Sequence, residues 1–200
     1  MASSLPGWPE RIVLASASPR RHRLLAQLGV RFEVRPAALD ETPLPDEDAR
    51  AHVERLAVAK AEAVAAPGDI VLAADTTVEL DGRIFGKPTD TEHALDVLRL
   101  LRGRTHQVHT GVALLAGQVT RSTVVTSGVR LAQVDDELLA WYVATGESAD
   151  KAGGYALQGA GALLVAEIYG SPTNVIGLPL HEVHQLLTSL ASAWPGSTQQ

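Results

Sequence analysis

Hydrophobic positions along the chain recur with two periods, and the period changes several times between that of a β-strand and that of an α-helix. Short apolar runs bounded by Gly, Pro, Asp or Ser predict strands, whereas an apolar residue at every third or fourth position predicts a helix. The predicted strands are residues 11–16, 70–80, 83–88, 109–115 and 121–134, and the predicted helices are residues 19–29, 47–66, 91–103, 135–145 and 181–192. Strands that alternate with helices through short connections predict an α/β fold.

The chain has the organisation of one domain. Its 200 residues suit a single sheet, and a chain of this size buries roughly 70% of the surface that it exposes when unfolded. Residues 1–9 and 193–200 are rich in Pro, Gly, Ser and Gln, so we expect flexible tails there. Residues 10–192 would then form the domain, with the glycine-rich residues 153–161 as an internal loop.

The Asp-Gly pair after the second predicted strand is the sequence of a two-residue hairpin turn. With this turn, Thr76 would lie opposite Lys87, and Asp75 opposite Pro88. A carboxylate that can hold a divalent cation or take a proton from water, beside a lysine that can neutralise phosphate, suits phosphoryl or nucleotidyl chemistry. A purely structural Asp–Lys pair would have the same spacing.

Composition restricts the classes of function. A net charge of −6 argues against general attraction to nucleic acid or anionic membrane, so an anion would have to be bound by a local group of cations. The chain has no cysteine, which excludes disulfides and thiolate chemistry and favours a reducing cytoplasm. No apolar run approaches the roughly 20 residues that span a bilayer, and the first ten residues do not resemble a signal peptide.

Within this acidic chain, cations gather at the start of the first predicted helix, in the stretch LASASPRRHRLL. Ser18 is the predicted N-cap and Pro19 the first helical residue, so Ser16, Arg20 and Arg21 surround an end that carries partial positive charge. Cations there cost about 0.3–1 kcal/mol each, which a bound phosphate would offset. The arginines could instead be a solvated face paired with acids elsewhere.

Two further charged residues interrupt apolar patterns. Lys60 lies within the apolar stripe of the second predicted helix, where a lysine either extends its ammonium to water or binds an anion. Asp75 lies inside the apolar strand 70–80, and a buried carboxylate needs a hydrogen bond, a counter-charge or a metal. We predict a functional role for Asp75, with a structural acceptor of N–H bonds as the alternative.

Three other patterns do not support a function. GRIFGKP is one residue short of a P-loop and has Pro where Ser or Thr would bind magnesium. HEVH spaces its histidines three apart, whereas the zinc signature spaces them four apart. The glycine-rich loop lacks the GxGxxG pattern of a dinucleotide fold. Among the acids between Asp40 and Asp48, only Glu41 is a candidate metal ligand.

Eight motifs, taken in order, resemble those of the Maf family of nucleoside triphosphate pyrophosphatases. They are LASASPRRHRLLAQLG, ETP, RLAVAKAEAV, AADTTV, GKP, GRTHQVHTGVAL, DKAGGYALQG and NVIGLPL. The resemblance covers about residues 12–180. It implies a two-lobed α/β fold around a long, mixed, twisted β-sheet with flanking helices, similar to the inosine triphosphate pyrophosphatases, with the nucleotide in the cleft.

The resemblance also implies a reaction, in which a nucleoside triphosphate and water give the monophosphate and pyrophosphate with a divalent cation, Mg²⁺ or Mn²⁺. By motif, Asp75 would activate the water that attacks the α-phosphate, and Glu41 and Asp75 would hold the metal. The residues implied around the triphosphate are Ser16, Arg20, Arg21, Lys60 and Lys87. Gln158 would face the base.

One subgroup of the family fits best. It acts on dTTP and UTP and carries Arg, Thr and Gln at the positions of Arg20, Thr76 and Gln158, whereas the 7-methyl-GTP subgroup has an aromatic residue in place of the first arginine. The resemblance therefore implies pyrimidine nucleotides, including modified ones, as substrates of a house-cleaning enzyme, and a homodimer. The alternatives are a regulator of septum formation that binds nucleotide without turnover, and a pyrophosphatase that prefers 7-methyl-GTP or another purine nucleotide.

Overall fold

The computed structural model describes residues 5–191, whose strands form one mixed sheet with helices packed against it. The strands are β1 (Ile12–Leu14), β2 (Phe32–Val34), β3 (Ile70–Leu80), β4 (Arg83–Phe85), β5 (Thr105–Ala116), β6 (Val119–Leu131) and β7 (Val165–Tyr169). The helices are α1 (Pro19–Ala26), α2 (Ala49–Val64), α3 (Thr91–Leu101), α4 (Asp136–Ala144), α5 (Pro172–Ile176) and α6 (Leu180–Ala191). The sheet order is β2-β1-β3-β5-β6-β7, with β4 also paired to β3.

The predicted α/β class is confirmed, and β3 has the predicted bounds. Two edge strands, β2 and β7, and the short helix α5 were not predicted. The glycine-rich segment that we expected to be a loop contains two short 3₁₀-helices, Ala152–Gly154 and Gly159–Leu164. The predicted tail 193–200 lies outside the described residues.

Aspartates begin three of the long helices. The side chains of Asp48, Asp90 and Asp135 accept hydrogen bonds from backbone N–H groups in the first turns of α2, α3 and α4. Such N-caps each stabilise a helix by about 1 kcal/mol. Ser18 stands at the N-cap position of α1, as predicted, but its side chain makes no capping bond. The first turn of α1 therefore lacks the side-chain acceptor that α2, α3 and α4 have.

The edge of β3 opposite β5 is shared by two strands that approach from opposite ends. β1 is parallel to β3 and pairs at Val71 and Leu72, whereas β4 is antiparallel and pairs from Val78 onward. Both strands therefore direct their carboxyl ends toward the gap between them. The chain leaving β1 brings Ser16 to this gap, and the chain leaving β4 brings Lys87.

The side chains of β3 alternate between the two faces of the sheet. Val71 and Ala73 pack in the cluster beneath α2, and Leu72 and Ala74 pack in the cluster that includes residues of α1 and α6. Continuing the alternation places the carboxylate of Asp75 on the α2 side. The next residue along the strand, Thr76, faces the α1 side. One face of the gap therefore carries a carboxylate and the other a hydroxyl.

Trp8 belongs to the core, although it lies in the segment predicted as a flexible tail. Its side chain is buried, and its indole Nε1 donates a hydrogen bond to His184 Nδ1 at 2.8 Å. This contact attaches the start of the described chain to α6. Among the helices of residues 5–191, none is long and apolar enough to cross a membrane.

Gly111 lets α2 lie directly on β5. A Cβ atom at this position would lie 2.2 Å from the backbone oxygen of Val53, and neither a strand nor a helix backbone can yield cheaply. We expect Gly111→Ala to lower the free energy of unfolding by about 3 kcal/mol because of this overlap. Urea unfolding followed by circular dichroism measures the loss. Gly86→Ala is the control, because its Cβ would meet no atom within 4 Å, and we expect less than about 0.5 kcal/mol. Equal stability of the two variants would contradict the prediction.

Candidate active site

A cavity of about 540 Å³ opens at the gap between β1 and β4. Its walls come from the loop after β1, from α1 and α2, from the middle of β3, and from the segment between α4 and the second 3₁₀-helix. All of the predicted site residues line it: Ser16, Arg20, Arg21, Glu41, Lys60, Asp75, Thr76, Lys87 and Gln158. The fold thus brings together residues spread over more than 140 positions of the chain.

Lys60 lies between two carboxylates. Its Nζ is 2.6 Å from Asp75 Oδ1 and 2.5 Å from Glu41 Oε1. The side chains of Lys60 and Asp75 are only 8% and 10% exposed, whereas that of Glu41 is 41% exposed. Lys60 therefore does not extend to water, which was one of the two alternatives from the sequence, and its ammonium contacts two carboxylates. It is the counter-charge of the buried Asp75.

Glu41 carries a charge that two lysines stabilise. Burial acts to raise the pKa of this carboxyl group, but the hydrogen bond and charge of Lys60 and the charge of Lys87 outweigh burial, so the pKa is lowered. Glu41 is therefore ionised at neutral pH. Its Oε2 lies 3.4 Å from Lys87 Nζ.

Lys87 reaches the cavity by a different route from the one predicted. The β3–β4 ladder ends at the pair Val78–Phe85, so the predicted pairing of Thr76 with Lys87 and of Asp75 with a proline is wrong. The physical reason is that the chain leaves the ladder at the glycine after β4. The side chain of Lys87 is 61% exposed and can swing toward a ligand.

Arg21 is buried on the α1 face of the gap and joins three separate segments of the chain. Its guanidinium donates to the backbone oxygen of Gly177 at 2.7 Å, to Ser16 Oγ at 3.2 Å and to Thr76 Oγ1 at 3.0 Å. Burial lowers its pKa, against the opposing charge of Asp75, but an arginine remains charged at neutral pH. Three of its five N–H donors are used by the protein, so Arg21 fixes the wall and offers a cavity ligand its charge and the remaining donors.

Ser16 is held with its hydroxyl acceptors occupied. Its Oγ accepts from the backbone N–H of Ser18 at 3.2 Å and from Arg21, and its backbone oxygen is 2.7 Å from His22 Nε2. A serine hydroxyl has one hydrogen to donate. Because both lone pairs are used within residues 5–191, that hydrogen is the group available to a phosphate oxygen.

Arg20 is paired with an acid, which was one of the two alternatives for the cations of the first helix. Its Nη1 lies 3.0 Å from Asp150 Oδ2, and its Nη2 donates to the Asp150 backbone oxygen at 3.3 Å. The pair joins α1 to the segment after α4 across the cavity. Since Asp150 is exposed, the pair is weak enough to exchange for a phosphate.

Gln158 also lines the cavity. Its amide oxygen is buried and has no hydrogen-bond partner among the described residues. Buried polar atoms are nearly always paired, so an unpaired one indicates a missing donor. Sequence reasoning missed two neighbours, Asp150 and Lys151, although the DKAG motif contains both. Adjacent opposite charges just before a glycine-rich segment are the signal that could have indicated them.

The carboxylates fit a divalent cation only in part. Glu41 and Asp75 contact the same ammonium, but residues 5–191 contain no group of three or more His, Cys, Asp or Glu placed to hold a metal. Mg²⁺ is commonly bound by one or two carboxylates together with substrate phosphates. The donor set therefore fits a cation that arrives with a nucleotide.

Glu47 fixes the segment that carries Glu41. It accepts from Arg55 Nε at 2.6 Å and Nη2 at 2.7 Å, from the Leu44 N–H at 3.0 Å, and contacts His52 Nδ1 at 3.0 Å. The Arg55 bonds, helped by Leu44 and His52, bring the pKa of Glu47 from 4.5 down to about 2. The stabilisation is therefore complete above pH 4.5 and is lost as the pH falls toward 2.

We expect Glu47→Gln to lower the free energy of unfolding by about 1–2 kcal/mol at pH 7, since glutamine cannot accept the bidentate arginine. The difference from the unmutated protein should shrink steadily below pH 4.5 as Glu47 takes up a proton. Urea unfolding at a series of pH values measures both effects. Glu62→Gln, an exposed position on α2, the helix that carries Arg55 and His52, is the control and should change nothing. A loss that persists unchanged at low pH would exclude the ionised carboxylate as its cause.

The chain is similar to proteins of one family along most of its length. The family model described as "Maf-like protein" matches residues 11–190. A protein of Aromatoleum aromaticum named dTTP/UTP pyrophosphatase is 50% identical over 195 residues, which cover 90% of this chain and 95% of that protein. A protein of Myxococcus xanthus with the same name is 53% identical over 178 residues, covering 88% of this chain and 90% of that one. A solved structure, the Ham1 protein of Staphylococcus aureus, aligns with a TM-score of 0.47 and 14% identity over 92% of this chain and 99% of that chain.

Proposed function

The chain belongs to the Maf-like protein family, and on that premise we propose that it is a nucleoside triphosphate pyrophosphatase with dTTP and UTP as its preferred substrates. The observation that carries the proposal is the environment of Asp75. A buried carboxylate lies on the floor of a cavity whose walls hold Lys60, Lys87, Arg20 and Arg21. Such a site suits a polyanion that is attacked by water.

Asp75 has one oxygen for the lysine and one for a water molecule. Its Oδ1 contacts Lys60, and no described residue donates a hydrogen bond to Oδ2. A water molecule hydrogen-bonded to Oδ2 would be oriented for attack on the α-phosphorus of a bound nucleotide. General-base assistance by a positioned carboxylate contributes about 10²–10⁴-fold to a rate.

The proposed reaction forms a bond between the water oxygen and the α-phosphorus and breaks the bond from that phosphorus to the oxygen bridging the α- and β-phosphates. The water proton passes to Asp75, and the bridging oxygen leaves with pyrophosphate. Negative charge develops on the leaving pyrophosphate and must be stabilised by nearby cations. The exposed Lys87 and the exchangeable Arg20 can supply that positive charge.

Glu41 and Asp75 would hold a divalent cation, Mg²⁺ or Mn²⁺, which supplies neutralisation of phosphate charge when it is bound. The ionised state of Glu41 supports this assignment. Ser16 would donate its free hydroxyl hydrogen to a phosphate oxygen, and Arg21 would keep Ser16 and Thr76 in place. The side chain of Gln158, which lines the cavity, would meet the base.

A screen of pyrophosphate release tests the proposal. The purified chain is incubated with dTTP, UTP, 5-methyl-UTP, CTP, GTP, ATP and 7-methyl-GTP, in turn with Mg²⁺, with Mn²⁺ and with a chelator. We expect one pyrophosphate and one monophosphate per turnover, the highest kcat/KM for dTTP and UTP, and no turnover with the chelator. Release of inorganic phosphate instead, or turnover that survives complete chelation, would contradict the mechanism.

The regulatory alternative gives a different result in the same screen. A regulator of septum formation would bind nucleotide without releasing pyrophosphate, and calorimetry would detect that binding. A highest kcat/KM for 7-methyl-GTP or another purine nucleotide would leave the reaction in place and overturn the pyrimidine preference. Arg20 supports the pyrimidine assignment because its motif resembles that of the dTTP/UTP subgroup. The screen tests this assignment directly.

A further inference from the structure

The carboxylate of Glu147 binds the backbone that immediately follows Gln158. Its Oε2 accepts from the N–H of Ala160 at 2.9 Å, and its Oε1 accepts from the N–H of Gly161 at 2.9 Å. These are first-turn donors of the 3₁₀-helix Gly159–Leu164. Glu147 therefore caps this helix from a distant position in the chain.

The capping role is normally taken by the residue that stands at the N-cap. Here that residue is Gln158, and its side chain makes no capping bond. The side chains that commonly fold back onto the first free N–H groups of their own helix are those of Ser, Thr, Asn and Asp, so a glutamine at this position leaves them open to another acceptor. Because Glu147 occupies those groups, the side chain of Gln158 is left to line the cavity, and its amide oxygen has no hydrogen-bond partner among the described residues.

The carboxylate and the backbone oxygen of Glu147 both accept further hydrogen bonds. The hydroxyl of the buried Tyr142 donates to Oε1 at 3.4 Å, and Lys151 Nζ donates to the Glu147 backbone oxygen at 2.5 Å. The fit to the turn is close, because a Cβ atom at Gly159, where φ is +82°, would lie 2.4 Å from Oε2. A side chain at position 159 would therefore displace the carboxylate from the turn.

We propose that Glu147 is a positioning residue for base recognition, which holds Gln158 in place to bind the pyrimidine edge of a uracil or thymine nucleotide. This inference rests on the proposed function. A uracil or thymine ring presents an N–H donor between two carbonyl oxygens, which matches an amide that offers an unpaired oxygen and an NH₂ group. Cytosine presents an acceptor at the same ring position. An amide that directs its oxygen toward this ring position therefore favours uracil and thymine.

A double-mutant cycle tests the coupling. The variants are Glu147→Gln, Gln158→Ala and the double variant, each measured for kcat and KM with UTP and CTP and for the Kd of UMP by calorimetry. Glutamine at position 147 has one acceptor oxygen and places an NH₂ group against the second N–H. We expect either single change to raise KM and Kd about tenfold, the effect of losing one hydrogen bond, with kcat changed less than about threefold. The preference for UTP over CTP should fall in both.

The decisive comparison is that of the double variant with Gln158→Ala alone. If Glu147 acts through Gln158, the double variant has the same KM, Kd and UTP preference as Gln158→Ala alone. Multiplied effects of about 100-fold, or an unchanged KM in Glu147→Gln, would overturn the proposal. Asp135→Ala is the matched control, since it removes an N-cap from α4 and lies outside the cavity; it should lower stability and leave KM unchanged.

The two levels of the proposal fail separately. If the unmutated protein releases no pyrophosphate, the proposed function fails, while the Kd values for UMP still determine whether Glu147 and Gln158 are coupled. If the unmutated protein releases pyrophosphate but does not prefer UTP to CTP and binds no UMP, the inference on Glu147 and Gln158 fails and the pyrophosphatase activity stands. Should Glu147→Gln not fold, Glu147→Asp replaces it in the cycle, because aspartate keeps both acceptor oxygens one methylene further back. It should then raise KM in the single variant and add nothing to Gln158→Ala.

Discussion

Asp75→Asn is expected to lower kcat for pyrophosphate release by about 10³-fold while the protein remains folded. Asparagine has nearly the same shape but cannot accept the proton of the attacking water. The fold should tolerate the change, because Lys60 keeps Glu41 as a partner after Asp75 loses its charge. Steady-state kinetics with UTP or dTTP and a urea unfolding curve at pH 7 measure the two quantities.

Asp81→Asn is the control for this experiment. Asp81 lies on the same strand-hairpin unit, in the turn at φ +53°, a conformation that asparagine also adopts readily, and its only ion pair in the described chain is with Arg104 on the surface. We expect its kcat to match that of the unmutated protein. An Asp75→Asn variant that retains more than a tenth of the activity would exclude Asp75 as the base and would leave Lys60 and its neighbours as a binding site for charge.

The order of the elements was predictable because the strongest signals are local. The long apolar run of β3 and the Asp-Gly pair after it specify a strand and a tight turn without help from distant residues. The strands β2 and β7 were not predicted, because Phe32–Val34 has three residues and Val165–Tyr169 five, too few to establish a period without a neighbouring signal such as the Asp-Gly turn that indicated β4. Their pairing comes from neighbours already in the sheet.

The residues of the candidate site were predictable to a larger extent than their contacts. Residue types that interrupt an apolar pattern, such as Lys60 and Asp75, are visible in the sequence. Whether a lysine extends to water, binds a ligand or pairs with an acid depends on which helix face meets which strand, and that is decided by packing. The alternation along β3 and the close approach of α2 at Gly111 bring the two together.

Glu147 was not predicted for a related reason. Its partners are backbone N–H groups, which every residue except proline has, so no residue type at a fixed spacing indicates them. Arg21 was predicted as a cation of the site, but its bonds to the backbone oxygen of Gly177 and to the hydroxyls of Ser16 and Thr76, which join three separate segments, were not. Residues that position others through the backbone are therefore found from structure.

Lys60→Met is expected to lower both activity and stability, and the two losses should be separable. Methionine fills a similar volume but leaves the buried Asp75 without the one cation that contacts it among the described residues. Leaving a buried charge unpaired costs about 3 kcal/mol, and loss of the ammonium from the cavity should lower kcat/KM by about 10²-fold or more. Urea unfolding and pyrophosphate release measure the two effects.

The double variant Lys60→Met/Asp75→Asn distinguishes a structural lysine from one that also serves the reaction. It contains neither charge, so the unpaired carboxylate is gone and most of the lost stability should return, while activity stays at or below that of Asp75→Asn. Lys60→Met alone being as stable as the unmutated protein would mean that Asp75 is hydrated or protonated without its lysine. A double variant no more stable than Lys60→Met would place the loss in packing against α2 instead. Recovered stability together with absent turnover would show that the stability lost in Lys60→Met comes from the unpaired carboxylate and that the Lys60–Asp75 pair is needed for the reaction.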